Sequence, residues 1–292
     1  MKKKVIYIVC FILTLVLSGC QKQTNKAFHV LCPMGAPTLA FVSEYESIKE
    51  NGSIDFVDGS QQLIAELSKN DSQYDIIVAP INVGTKLIEK KQTDYRLKAV
   101  ITWGNLYLVG KSDALSKDGE IALFGEGAVP QKIIESLDLN TKLKSHYYQS
   151  ATLVQQQLLA EKVNVGMLAE PLATATIAKA KKSGIELSIL TDLQKEYSEQ
   201  GYPQAAIFIK DTTEADQLFD KIDDFTNNGY QNLETYLNDI GVETLSLPSV
   251  DITIKTMERQ NIHYREASEC QDEIKEFLKL FDIQFSQEML SQ

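Results

Sequence analysis

Arginine is nearly missing from this chain: Arg96, Arg259 and Arg265 are the only three in 292 residues. Because arginine reads phosphate and carboxylate through paired hydrogen bonds, no phosphate-reading cluster is available. Cations are scarce altogether, with 29 Lys and Arg against 40 Asp and Glu, a formal net charge of −11. An acidic surface of this kind argues against nucleic acid and anionic lipid headgroups as partners. Three histidines and four cysteines occur, and no spacing among them resembles a metal site or a disulfide framework. No metal and no cofactor is expected. Low-complexity runs and short-period repeats are missing too, which leaves ordinary packed domains.

The single long apolar run stands at the start. Lys2, Lys3 and Lys4 form a basic segment, and Val5 to Leu17 form an uncharged apolar core. That core falls short of the ~20 apolar residues a membrane-spanning helix needs. It reads as a secretory signal over residues 1–20. Leu17-Ser18-Gly19-Cys20 resembles a bacterial lipobox, in which Cys20 is lipidated and becomes the new first residue. Acyl chains contribute ~0.8 kcal/mol per buried CH₂, so several of them hold a protein stably to the extracytoplasmic face of the cell membrane. Residues 21–26 then form a polar tether. Without residues 1–20 the net charge becomes −14, and the 272 residues that remain suffice for two cores of ordinary domain size. Cys10 leaves with the signal; Cys32 and Cys270 are expected to pack separately, with a disulfide as the alternative.

The stretch Tyr74 to Leu87 sets the pattern for the rest. Ile76, Ile77, Val78 and Ala79 suit a strand covered on both faces, and Pro80 stops its hydrogen-bond ladder. Asn82 is placed to cap a helix beginning at Val83. Two similar units precede it. Ala27 to Cys32 feeds the turn Pro33-Met34-Gly35-Ala36-Pro37-Thr38, and Ser53 to Val57 feeds Asp58-Gly59 with Ser60 as a helix N-cap. Three consecutive strand-turn-helix units imply a parallel sheet with right-handed crossovers. Their turns should line one edge, where open α/β folds hold ligands.

Tyr95 to Gly110 is too long for an ordinary strand and reads as a crossing into a second domain, with Trp103-Gly104-Asn105 at its middle. Beyond it the pattern recurs. Ile121 to Phe124 ends in Gly125-Glu126-Gly127-Ala128-Val129-Pro130, and Val163 to Leu168 ends in Glu170-Pro171 before a helix. Gly201-Tyr202-Pro203-Gln204 precedes Ala205 to Ile209, the expected return crossing. From Thr213 onward the pattern is mostly helical and acidic.

In this order, the turns and crossings resemble the solute-binding proteins of ABC importers with the type II periplasmic-binding fold, in the nitrate, sulfonate and thiamine-precursor branch. The resemblance covers about residues 27–285. It rests on Pro33 to Pro37, Asp75 to Leu87, Trp103 to Val109, Val163 to Pro171, Gly201 to Gln204 and Arg259 to Ile262. It implies an α/β fold of two lobes, each a mainly parallel sheet flanked by helices, joined by two crossing strands. Residues 27–104 and 208–292 would form one lobe and 105–207 the other, with the C-terminal helices folded back on the first. A solute would sit between the lobes and pass to an ABC permease, and a monomer is the default. The residues expected to meet solute are Met34, Gly35, Ser60 and Asn82 from the first lobe, Trp103, Asn105 and Tyr202 from the crossings, and Glu126 and Glu170 from the second lobe. Two glutamates and aromatic rings lean towards a neutral or cationic nitrogen compound.

Two other functions remain open on sequence. The same fold serves dehydratases and pyrimidine-forming enzymes, so Cys32 would be a nucleophile and Glu126 or Glu170 a base. The cysteine-rich iron motif of the pyrimidine-forming enzymes is absent, and no histidine motif accompanies Cys32. Catalysis is therefore not the expectation. A surface lipoprotein that binds another protein would need an exposed apolar patch, which no stretch offers.

Overall fold

A computed structural model describes residues 26–291 apart from 138, 140 and 141. The signal, Cys20 and all of the tether but Lys26 lie outside the described residues. Among those described, no helix is long and apolar enough to cross a membrane.

Eleven strands are described: β1 (His29–Pro33), β2 (Ser53–Val57), β3 (Ile76–Pro80), β4 (Tyr95–Thr102), β5 (Leu106–Gly110), β6 (Gly119–Phe124), β7 (Leu143–Tyr148), β8 (Val165–Ala169), β9 (Ser188–Asp192), β10 (Ala205–Lys210) and β11 (Ile262–Glu266). They form two sheets, ordered β11-β4-β10-β3-β1-β2 and β7-β6-β8-β5-β9. In the first, β2, β1 and β3 run parallel, as the three repeated units require, and β10 lies antiparallel between β3 and β4. In the second, β6 pairs parallel with β7 and β8, and β5 lies antiparallel between β8 and β9. The fold is thus a mixed α/β build of two helix-flanked sheets.

Both faces of the first sheet are covered, and side chains alternate between them. Val30, Cys32, Ile76, Val78, Ile207 and Ile209 enter one apolar cluster, while Leu31, Ile77, Ala79, Ala206 and Phe208 enter another. The second cluster runs on through Trp103, Leu193 and Tyr202 to Leu106, Leu108, Leu123 and Met167 of the other sheet, so one core is continuous through the crossings. Val109, Ala122, Leu158 and Leu168 belong to a separate cluster on that sheet's far face. Each aliphatic side chain fully buried this way contributes about 1.5–3 kcal/mol.

Three expectations need correcting. Tyr95 to Gly110 is not one strand. It divides into β4 and β5, which belong to different sheets, and Gly104 turns the chain between them with φ 84°. A Cβ at Gly104 would stand 2.8 Å from the Tyr202 ring, so close packing and positive φ both demand glycine there. Asn82 caps nothing. The helix begins at Ile81, two residues earlier than expected, and the Ile81 amide bonds to the Gln204 carbonyl at 3.1 Å. Asn82 therefore lies inside the helix Ile81–Glu89. Gly84 of the same helix presses on Phe208 of β10, where a Cβ would come within 2.2 Å of the ring. Finally, β11 interrupts the helical C-terminal region and extends the first sheet beside β4.

Behind the crossings, the helix Gln271–Lys279 buries Ile274, Phe277 and Leu278. Phe277 stacks on Tyr202 with centroids 5.5 Å apart, and Tyr197 packs edge-on against both. This aromatic group closes the back of the molecule.

Candidate functional site

A cavity of about 490 Å³ opens where strands end and helices begin, and both sheets contribute to it. From the first sheet come the turn Pro33 to Pro37, then Asp58, Gly59 and Ser60, and Pro80, Asn82 and Val83. The second sheet supplies Phe124, Ala128 to Pro130, Ala151 and Thr152, and Ala169 to Leu172. Asn105 and Gln204, beside the two crossings, lie at its floor, and Ser246 and Pro248 reach it from the C-terminal region. The size suits a small organic molecule, and the walls are mainly apolar.

Six of the expected residues line this cavity: Met34, Gly35, Ser60, Asn82, Asn105 and Glu170. Met34 is 38% exposed and offers an apolar surface at the cavity. Gly35 adopts φ 91°, and its amide bonds to the Leu245 carbonyl, which brings Ser246 and Pro248 to the rim. Ser60 precedes its helix, but its hydroxyl makes no capping bond.

Three expected residues stand elsewhere. Trp103 is fully buried; it stacks on His263 at 5.4 Å, carries the Arg265 guanidinium over its ring and donates Nε1–H to the His263 carbonyl. Burial and the neighbouring Arg265 push the His263 imidazole down to about 4. Tyr202 is equally buried in the aromatic group behind the crossings, and burial pushes its phenol up. Both rings are packed into the core: Trp103 against His263 and Tyr202 against Phe277 of the C-terminal segment, since an aromatic beside a crossing strand can face either way. Glu126 is exposed in its glycine turn, whose flanking residues face the cavity while its own side chain does not.

The floor is a closed polar network. Gln204 Nε2 donates to Asn105 Oδ1 at 3.0 Å, and the Asn105 amide N–H donates to Gln204 Oε1 at 3.3 Å. Asn105 Nδ2 donates to the Glu170 carbonyl, and the Glu170 amide returns a bond to the Asn105 carbonyl. The Glu170 side chain has no exposure, yet its carboxylate accepts from Thr174 N at 3.0 Å, Thr174 Oγ1 at 2.7 Å and Arg259 Nε at 2.8 Å. Arg259 also donates to Thr174 Oγ1, and its carbonyl accepts from the Tyr107 hydroxyl. A buried carboxylate tolerates its site only with such partners.

The opposite corner is unfinished. Asn82 Oδ1 is buried and has no hydrogen-bond partner. A buried amide oxygen without a partner costs about 1–3 kcal/mol, and among the described residues with such an atom Asn82 is the one in the cavity lining.

Sequence reasoning missed Gln204, Phe124 and Arg259. Gln204 was in view beside Tyr202, and its place immediately before β10 was the available signal. Arg259 stood in the stretch Arg259 to Ile262, but its pairing with Glu170, 89 residues away, left no local signal. The alternative nucleophile Cys32 is fully buried and donates weakly to the Pro33 carbonyl, and burial pushes its thiol well up. That position suits a packing residue, because the thiolate is the reactive form. Cys270 is also buried and free, in a different apolar cluster. Among the described residues no group of three His, Cys, Asp or Glu side chains is arranged to hold a metal ion.

By sequence, no family model and no curated protein matches the chain. Solved structures do share its fold. An ABC transporter protein from Parabacteroides distasonis is 24% identical with a TM-score of 0.73, over 88% of this chain and 92% of that one. The periplasmic aliphatic sulphonate-binding protein of Escherichia coli is 12% identical with a TM-score of 0.67, over 91% and 92%. The ligand-binding component of an ABC-type import system from Staphylococcus aureus, solved with zinc bound, is 12% identical with a TM-score of 0.59, over 91% and 96%.

Proposed function

We propose that this chain is an extracytoplasmic solute-binding protein, anchored through a lipid on Cys20, that captures a small organic molecule between two lobes and delivers it to an ABC import permease. The cavity carries the reading: a single opening is lined from both sheets, at the strand ends where α/β folds hold ligands. The lobes would meet along residues 103–105 and 201–204, with residues 27–104 and 208–292 on one side and 105–207 on the other. A solute touching both sides favours the closed arrangement by its greater affinity for it, and closure excludes water from a largely apolar pocket. The permease recognises the closed form, and the protein works as a monomer. Neither glutamate supports a cationic solute as the sequence suggested, because Glu126 is outside the lining and Glu170 is already paired.

Thermal-shift screening of the soluble chain against a wide metabolite panel tests the reading, since a specific ligand raises the melting point by mass action. X-ray scattering of the same samples should show a smaller radius of gyration with the ligand that shifts melting. Absence of any stabilising metabolite, or stabilisation without compaction, would remove solute capture between lobes. Labelled fatty acid should attach to the full chain and be lost with Cys20→Ala.

A further inference from the structure

We infer that the cleft selects uncharged solutes, and that Arg259, which lies outside its lining, sets that selection by cancelling the one carboxylate buried in the floor. The inference rests on the solute-binding reading above and deepens it to a solute class.

The charge inventory of the cavity is short. No lysine or arginine lines it; its only ionisable side chains are Glu170 and Asp58. Asp58 is exposed at the edge of a glycine turn, where water screens it. Glu170 is the buried charge, and Arg259 reaches it from the opposite side of the crossings, where its own surroundings are a separate polar crevice. The pair is therefore neutral as seen from the cavity. A cationic solute finds no unpaired carboxylate in the floor, and an anion finds no cation in the walls.

Helix starts are the remaining source of field. Helices Ile81–Glu89, Val129–Ser136, Ala151–Leu159, Leu172–Lys182 and the shorter Gln61–Leu67 all begin at the cavity, and their positive ends would favour an anion. Two of those ends carry a side-chain cap from within the chain: Glu170 accepts from Thr174 N and Ser150 accepts from Leu153 N, whereas Val129–Ser136 has no side-chain cap and Pro130 removes only one of its donors. What remains for the solute is the uncapped starts of Ile81–Glu89, Val129–Ser136 and Gln61–Leu67, each a partial charge only, and the Asn82 amide with its buried unpartnered oxygen, among apolar walls. An amide pairs with uncharged N–H, O–H or C=O groups as readily as with ions, and does so without an uncompensated charge.

Three planar probes of the same size and shape separate the cases: benzamide (neutral), benzamidine (cationic) and benzoate (anionic), each titrated at neutral pH and followed by ligand-observed NMR. The wild type should prefer benzamide over both ions by about tenfold or more, the scale of a charge interaction in a partly wet cleft. Glu170→Gln leaves Arg259 unopposed and should move the preference to benzoate. Arg259→Gln leaves Glu170 unopposed and should move it to benzamidine. The double variant should return it to benzamide, a restoration that loss of packing alone would not produce. Should Arg259→Gln fail to fold, Glu170→Gln, which removes the buried charge, still decides the matter. Preference of the wild type for either ion, retention of the wild-type order by a variant, or binding of none of the three overturns the inference. Binding an ion best overturns the charge rule alone, because the protein would still be a solute receptor. Failure of these probes together with failure of the metabolite panel would remove the receptor reading as well.

Discussion

Two corners of the cleft have the same sequence grammar and opposite physical states. At Pro80-Ile81-Asn82 and at Glu170-Pro171, an apolar strand ends in a proline with a polar side chain close by, and a helix follows. At the first, the polar residue lies inside the helix and its amide oxygen is buried without a partner. At the second, the polar residue precedes the helix and all its needs are met by Thr174 and Arg259. The first corner leaves that oxygen without a partner in the chain. The second is finished by the chain itself and makes a rigid floor. Position relative to the proline decides much of this: a residue before proline sits outside the helix and can turn back onto its first turn, whereas one two places after it is already committed to the helix.

The contrast predicts opposite responses to removing polar groups. The largest effect belongs to the finished corner. Arg259→Ala leaves the Glu170 carboxylate buried against two neutral donors and should cost about 2–3 kcal/mol, below the value for fully buried pairs because Arg259 is 38% exposed. A urea midpoint within error of the wild type would show that the floor does not depend on the pair.

Next comes a test against the stack between the crossings. The His263 imidazole is held down to about 4 from an ordinary 6.5, so the folded state binds fewer protons than the unfolded chain. Its contribution is present in full above about pH 6.5 and is lost as pH falls towards 4. The loss should be roughly 2 kcal/mol once partial exposure is allowed for. Urea unfolding across that window should show a steeper decline for the wild type than for His263→Gln. Parallel curves would place the acid sensitivity elsewhere in the molecule.

The smallest effect has the reverse sign. Asn82→Leu removes an unpartnered buried oxygen and should raise stability by about 1 kcal/mol, while weakening solute binding. A variant that loses stability, or binds as the parent does, would show that the two corners are alike after all.

Much of the fold was legible because it rests on local pattern. The continuous apolar runs at Ile76 to Ala79 and Ala205 to Ile209 are strands, and Ser53 to Val57 is a strand over the range its composition suggests. Burial on both faces produces such runs, and a reader of the sequence can see them. The site was legible in part. Turn residues such as Met34, Gly35 and Asn82 line the cavity because proline and glycine mark where strands end. Trp103 and Tyr202 lie outside the lining, and a buried aromatic and a cavity-facing one look the same in a sequence.

By itself, the sequence determined most of the strands of the first sheet, the parallel order of the first three units and the scarcity of cations. Backbone sterics and side-chain alternation act over a few residues, so neighbours in the chain suffice to specify them. Only the tertiary structure decided what each corner does. Arg259 reaches Glu170 across 89 residues, Phe277 covers Tyr202 across a similar distance, and no helix or sheet is left to satisfy Asn82. A hydrogen bond and a desolvated charge depend on which groups come within about 3 Å, and the folded path of the whole chain sets that.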